Sequence, residues 1–250
     1  MASITREILA KSILSRSGIS GINYCINPYV GCGHGCVYCY ATFMKKYTGH
    51  TEPWGSFVDA KINSPVLLRK ALTRAAPGTI IMSSVTDAYQ PIEKKYGITR
   101  ACLEVLVDTP FHCDILTKSP LVLRDMDLLK GHRNLEVGLT ITTDNEAMRR
   151  LFEPNAPPLA GRLGALKTLH ENGISTYVFV GPLLPMNPDV LAKMVFPYVD
   201  RVLIDRMNYV SKTALLYRKA GLQKWLDPEF VGDIIERLKE NLAGKSIDLC

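Results

Sequence analysis

No apolar run in this sequence approaches the ~18 residues that a membrane-spanning helix needs, so no span is expected. Internal repeats and low-complexity tracts are also missing, which leaves no basis for a repeat array or a disordered linker. There is no excess of charge. Hydrophobic residues make up 47% and charged residues 22%, a globular balance, and 250 residues suffice for one full domain with a core. Residues 1–20 lack the apolar block of a secretory signal, because Ile4, Ile8, Leu9, Ile13 and Leu14 are spread at helical spacing. That spacing predicts an amphipathic helix packed on the body. The single acid, Glu7, among serines and arginines makes an organelle transit peptide the alternative. A disulfide framework is absent as well: the seven cysteines are odd in number, three fall within residues 32–39, and Cys25, Cys102, Cys113 and Cys250 are scattered. This is metal-site spacing and predicts a reducing, cytoplasmic setting. The scattered cysteines read as core residues, with Cys250 a mobile thiol at the end of the chain. The net charge of +6 permits an anionic substrate or nucleic acid and demands neither.

What is present is strand followed by helix. Strands are expected at 23–29, 79–85, 112–117, 135–142, 176–180 and 201–204 from their β-branched, apolar runs. Helical patterns lie between them. Ser64–Pro65 reads as a cap and first-turn proline, Thr143 with Glu146 as a capping box, and Asn187–Pro188 as another start. A helix over 159–171 ends at Asn172–Gly173, and a polar-faced helix over 228–243 closes the chain. Six such units predict an α/β fold with a parallel sheet, a partial (βα)6 TIM-like barrel in one domain. The expected organisation is an N-terminal extension at 1–21, a barrel core at 22–210 and a C-terminal helical segment at 211–250. Ligands in such sheets sit beyond the C-terminal strand ends. One rim should therefore carry Cys32, Thr86, Asp87, Lys118, Thr142, Gly181 and Asn208, with residues 45–63 as an active-site loop.

The chemistry-bearing stretch is Asn27-Pro-Tyr-Val-Gly-Cys32-Gly-His-Gly-Cys36-Val-Tyr-Cys39-Tyr-Ala41. Thiolates at C-x3-C-x2-C can hold three irons of a cubane cluster and leave the fourth open for a substrate. Gly31, Gly33 and Gly35 keep side chains out of the loop, and their N–H groups could donate to cluster sulfurs. Tyr38 offers an aromatic face to a purine. Zinc, with His34 or Cys25 as fourth ligand, is the alternative, although structural zinc sites draw on a second cysteine or histidine pair that this sequence lacks.

With Tyr38 in the penultimate position, the cysteine motif resembles the signature of radical S-adenosylmethionine (SAM) enzymes. Further blocks, TDAYQPIE at 86–93, LTKSPLVLRDMDLL at 116–129, LTITT at 139–143 and LFEPNAPP at 151–158, resemble the spore photoproduct lyase-like subfamily, often labelled DNA repair photolyase. The resemblance runs from Asn27 to Pro188. It implies a partial barrel, a [4Fe–4S] cluster on Cys32, Cys36 and Cys39, and reductive cleavage of SAM to methionine and a 5′-deoxyadenosyl radical. It also implies an external reductant of the flavodoxin or ferredoxin type. The SAM-binding residues it implies are Tyr38 near the purine, Ser83 and Ser84 at the methionine amino group, Lys118 at the carboxylate, Thr140 and Thr142 at the ribose, and Val180 and Gly181 at the adenine. Where many relatives have Gly-Gly-Glu, this chain has Ser-Ser-Val-Thr-Asp at 83–87. Spore photoproduct lyases carry an extra cysteine near that strand end and a longer N-terminal region. This chain has Ser83 and Ser84 there, so efficient repair of the spore thymine dimer is not expected.

Asp87, Tyr89, Gln90 and Glu93 read as rim groups suited to a polar substrate, and Lys45, Lys46, Lys94 and Lys95 as loop cations suited to phosphate. The rigid segment Glu153-Pro-Asn-Ala-Pro-Pro158, after the fourth strand, reads as orienting Arg162 towards the cofactor carboxylate or as capping a helix. The leading reading is a monomeric, lyase-like radical SAM enzyme acting on a nucleic-acid lesion or modified base. A radical SAM enzyme for a small molecule or peptide, and a non-enzymatic zinc or iron–sulfur module, are the alternatives.

Overall fold

A computed structural model describes residues 4–250. The chain opens with short strands: β1 (Ile4–Ile8), β2 (Leu14–Arg16), β3 (Tyr24–Ile26), β4 (Tyr29–Val30) and β5 (Phe57–Lys61). Helix and strand then alternate through α1 (Ser64–Leu72), β6 (Thr79–Met82), α2 (Glu93–Tyr96), α3 (Ile98–Leu106), β7 (His112–Thr117), α4 (Met126–Gly131), β8 (Leu135–Thr140), α5 (Glu146–Phe152), α6 (Leu159–Glu171), β9 (Ser175–Val180), α7 (Pro188–Val195) and β10 (Arg201–Ile204). Helices α8 (Val210–Lys219) and α9 (Pro228–Asn241) and strand β11 (Ser246–Leu249) complete it. Among the described residues, no helix is long and apolar enough to cross a membrane.

The main sheet has the order β11-β10-β9-β8-β7-β6-β3-β2, with every pairing parallel except β2 to β3. The six expected strands stand in it side by side in chain order, as a partial TIM-like barrel requires. Alternation along the strands separates two faces. Val137, Leu139, Val178 and Val180 are fully buried and share one core with Leu166 and Leu169 of α6. The face away from the helices carries Asp114, Glu136, Gly138, Thr140 and Tyr177, which the register aligns across β7, β8 and β9. A Cβ on Gly138 would lie 2.2 Å from the Tyr177 ring, so glycine there lets the tyrosine fill the inside of the sheet.

Several expectations are corrected. The N-terminal extension, of which residues 1–3 lie outside the described range, is not a helix. Strand β1 pairs parallel with β5, which pairs antiparallel with β4 in a separate three-stranded sheet. A few apolar residues spaced by four or five fit either period, and the buried β5 backbone decides between them. Residues 45–63 are accordingly not one loop: they hold the end of a 3-10 helix (Tyr40–Tyr47) and all of β5. The C-terminal segment is not wholly helical, because β11 extends the sheet and the Cys250 N–H donates to the Ile204 carbonyl at 3.0 Å. Cys250 is thus held at a strand end rather than on a loose tail. Asn187 caps α7 as expected, accepting from the N–H groups of Asp189 and Val190 at 3.0 and 3.4 Å. At α5 the cap is Asn145, while Thr143 donates to the Pro185 carbonyl at 2.6 Å.

Candidate active site

The cysteine loop leaves β4 and turns twice on itself. The Gly35 N–H donates to the Cys32 carbonyl at 3.3 Å and the Cys39 N–H to that of Cys36 at 3.1 Å. Gly31 has φ +86°, and a Cβ there would stand 2.4 Å from the Phe57 carbonyl oxygen, so this turn admits only glycine. Gly33 has ordinary space, with the nearest atom of Pro91 at 3.6 Å from a built Cβ. Its N–H donates to Gln90 Oε1 at 2.8 Å. The Gly33 and Gly35 N–H groups thus have acceptors within the protein, in Gln90 and Cys32.

Gln90 also donates through Nε2 to the Gly31 carbonyl (3.2 Å) and to Thr86 Oγ1 (2.8 Å). Asp87 accepts from the Tyr89 N–H (2.9 Å), Thr117 Oγ1 (2.6 Å) and the Lys118 N–H (2.8 Å), and faces His34 Nδ1 at 3.4 Å. Glu93 accepts from Tyr29 and from the N–H of Thr99 (2.9 Å) and pairs with Arg124 (2.7 Å). These residues, expected to face substrate, are instead buried braces between the cysteine loop and the ends of β6 and β7. Lys94 and Lys95 lie in α2, not in a loop.

A second network lies on the far side of the cysteines. Glu153 accepts from Tyr38, from Thr142 Oγ1 at 3.2 Å and from Arg162, both side chains of the ion pair being fully buried. Arg162 also donates to the carbonyls of Pro157 (2.9 Å) and Thr140 (3.0 Å). Arg162 is thereby neither a cofactor clamp nor a helix cap. Burial would raise the Glu153 pKa, but Arg162 and then Lys118 outweigh it and hold the carboxyl below its ordinary range. Sequence reading placed Glu153 in a rigid segment with Arg162 but missed its link to the cysteine loop, because Tyr38 stands 115 residues away.

Lys118 follows β7 with its Nζ 5.8 Å from the Tyr38 ring centroid. Burial pulls its pKa down, yet Cys36 and Glu153 more than compensate, and the side chain stays a cation. Tyr38 is packed against Phe152, Leu184 and Tyr217, so little of its ring is open. Ser83, just beyond β6, has φ +73°, a left-handed conformation that costs a non-glycine residue roughly 1–2 kcal/mol. Its hydroxyl is buried with no hydrogen-bond partner. The neighbouring Ser84 hydroxyl accepts from Asn27 Nδ2 at 3.2 Å. Thr140 is on the sheet's inner face; the hydroxyl of Thr142 is engaged by Glu153. The structure does not bring the Val180 side chain to this group, because it is fully buried in the helix-facing core. At Gly181 the Phe179 ring occupies the space a Cβ would need, at 2.1 Å.

The donor set fits an iron–sulfur cluster. All seven cysteines are free. Burial pushes the Cys36 thiol up to about 12, despite a lowering contribution from Lys118, and raises Cys32 and Cys39 as well. Thiols so placed ionise when a metal supplies positive charge. Among the described residues, no three His, Cys, Asp or Glu side chains converge as a single metal ion would require. His34 Nε2 is a further buried, unpartnered atom in the same loop.

The radical SAM superfamily profile matches residues 26–195. An uncharacterized protein of Methanocaldococcus jannaschii is 45% identical over 184 residues, spanning 74% of this chain and 69% of its own. A protein of Pseudomonas phage M6 named radical SAM Nα-GlyT isomerase is 26% identical over 161 residues, 63% of this chain and 32% of that one. Among solved structures, spore photoproduct lyase complexed with dinucleoside spore photoproduct superposes with a TM-score of 0.73 at 12% identity, covering 98% of this chain and 82% of that chain. At that identity the likeness is one of fold.

Proposed function

This chain belongs to the radical SAM superfamily, and on that premise we propose that it binds a [4Fe–4S] cluster and SAM at the strand-end rim and generates a radical there. The observation that carries the reading is the pinning of a three-cysteine loop near a half-buried cation, Lys118, and a strained, unpartnered hydroxyl, Ser83. When bound, the cluster supplies the electron that cleaves SAM into methionine and a 5′-deoxyadenosyl radical. Cys32, Cys36 and Cys39 hold it. Lys118 pairs with the SAM carboxylate, and the Ser83 hydroxyl accepts from its amino group. Thr140 meets the ribose; Thr142 acts through Glu153, which fixes Tyr38 beside the site. Ser84 and Gly181 shape the pocket through their backbones, and Val180 supports Gly181 from the core.

In this reading residues 22–210 form the catalytic core, a flavodoxin or ferredoxin supplies electrons, and the substrate is a modified or damaged base in nucleic acid. The spore thymine dimer is not proposed as the substrate, because Ser83 and Ser84 stand where a thiol would be needed to return a hydrogen atom. The test is anaerobic reconstitution with iron and sulfide, reduction with dithionite, and assay of 5′-deoxyadenosine from SAM. Slow release without substrate is expected. A reducible four-iron protein that releases none refutes the proposal.

A further inference from the structure

The rim carries an exposed feature that SAM chemistry does not use. Tyr40, Phe43 and Tyr209 are 41–45% exposed and Tyr47 is 69% exposed. The Tyr40 ring stacks with two neighbours, Phe43 at 6.4 Å and 30° and Tyr209 at 6.2 Å and 16°. The run spans from the residue after Cys39 to the residue before α8. Lys212 ties the two segments together: its Nζ donates to the Cys39 carbonyl and to Thr42 Oγ1, both at 2.7 Å, and stands 5.2 Å from the Tyr209 ring centroid. Lys46 lies 4.9 Å from the Tyr47 ring centroid.

Charge on both segments is of one sign. Residues 37–51 include Lys45 and Lys46 and no Asp or Glu; residues 206–226 include five Lys or Arg and no Asp or Glu. The platform is also keyed to the cofactor strand end, because the Tyr40 hydroxyl donates to the carbonyl of Ser84. Exposed stacked rings set among unopposed cations match unpaired nucleotides, which offer base faces and phosphates together. A duplex keeps its base faces within the helix and gives the rings nothing to stack on.

We propose that single-stranded nucleic acid lies across Phe43, Tyr40 and Tyr209, with its phosphates on Lys45, Lys46 and Lys212, and that this platform delivers a base to the radical. The proposal names the substrate form for the chemistry inferred above and rests on that reading. The experiment is fluorescence anisotropy of the cluster-loaded protein with a labelled 12-nucleotide single strand and the matching duplex. The single strand should bind more tightly. Tyr209→Ala should weaken it about five- to a hundredfold, the range for loss of one base–aromatic stack, while Tyr209→Phe retains it. The Lys45→Gln/Lys46→Gln double variant should flatten the salt slope by roughly 1.4, two contacts at ~0.7 each. Should Tyr209→Ala fail to load iron, Phe43→Ala makes the same test on a separate side chain.

Equal affinity for duplex, or unchanged affinity in both alanine variants, overturns the proposal. So does loss of self-association in Tyr209→Ala with oligonucleotide affinity intact, which would assign the patch to a second copy. Slower reduction by flavodoxin with affinity intact would assign it to the reductant. Wild-type protein that releases 5′-deoxyadenosine yet binds no oligonucleotide sinks the platform alone. Wild-type protein that binds the strand yet never cleaves SAM sinks the radical reading alone.

Discussion

Replacing Glu153 by glutamine keeps its shape and removes its charge. Arg162, fully buried beside it, then faces no carboxylate, and Lys118 loses one of the groups that keep it charged. Removing one partner of a buried pair typically costs about 3–5 kcal/mol, because the remaining charge stays desolvated. For a chain of this size each kcal/mol moves the melting temperature by roughly 2–4 °C, so a fall of about 6–20 °C is expected. The amide can still accept from Tyr38 and Thr142, which confines the loss to the ion pair. Thermal unfolding followed by circular dichroism on anaerobic, cluster-loaded protein measures it. The double variant Glu153→Leu/Arg162→Met supplies the decisive comparison: with both charges gone, it should melt above Glu153→Gln. A single variant within about 1 kcal/mol of wild type, or a double variant less stable than the single, would show that packing rather than charge holds this wall, and the reasoning would fall.

Three further outcomes follow from the site and the sheet. Lys118→Ala should weaken SAM binding about ten- to a hundredfold, as loss of a charged hydrogen bond implies, with iron content unchanged; calorimetry at equal iron loading checks it. Asp114 lies inside the sheet, where burial, opposed by a hydrogen bond from Tyr177, pushes its carboxyl up to about 6. Because its folded pKa is raised, its stabilisation is complete below the ordinary value of 3.8 and is lost as pH rises through about 6, on the order of 3 kcal/mol in all. Asp114→Asn should therefore raise the melting temperature at pH 8 and leave it nearly unchanged at pH 4; equal shifts at both would contradict this. Gly31→Ala meets the Phe57 carbonyl and a left-handed φ, so iron content after reconstitution should drop sharply, whereas Gly33→Ala should load normally.

The six strands that form the barrel were legible because most are apolar, β-branched runs, buried against the helices on one side and largely buried within the filled sheet on the other. The strands that escaped notice, β1, β2, β4, β5 and β11, are short, and all but β5, which is central to the three-stranded sheet, lie at sheet edges. Their conformation is set by the partner backbone more than by their own side chains. The cysteine loop could be read from spacing and glycines, since Gly31 and Gly35 both have positive φ. Orientation could not be read. Asp87, Gln90 and Glu93 sit just past β6, as expected, yet turn inward to brace the loop. Sequence position places a residue on a rim without saying which way it points. The Glu153 network was hidden for a related reason: the pairing with Arg162 is local, but Tyr38 and Thr142 join it only after separate segments have folded.

Ser83 puts heat tolerance and ligand affinity in opposition. Glycine at φ +73° carries none of the steric penalty that serine does, and it removes a buried hydroxyl that nothing satisfies in the free protein. A library screened for survival at high temperature should therefore enrich Ser83→Gly. If the hydroxyl holds the SAM amino group, those survivors will be the variants least able to bind SAM. A stability screen of this protein would then select against its chemistry at this position, and the position could be identified from the survivors alone.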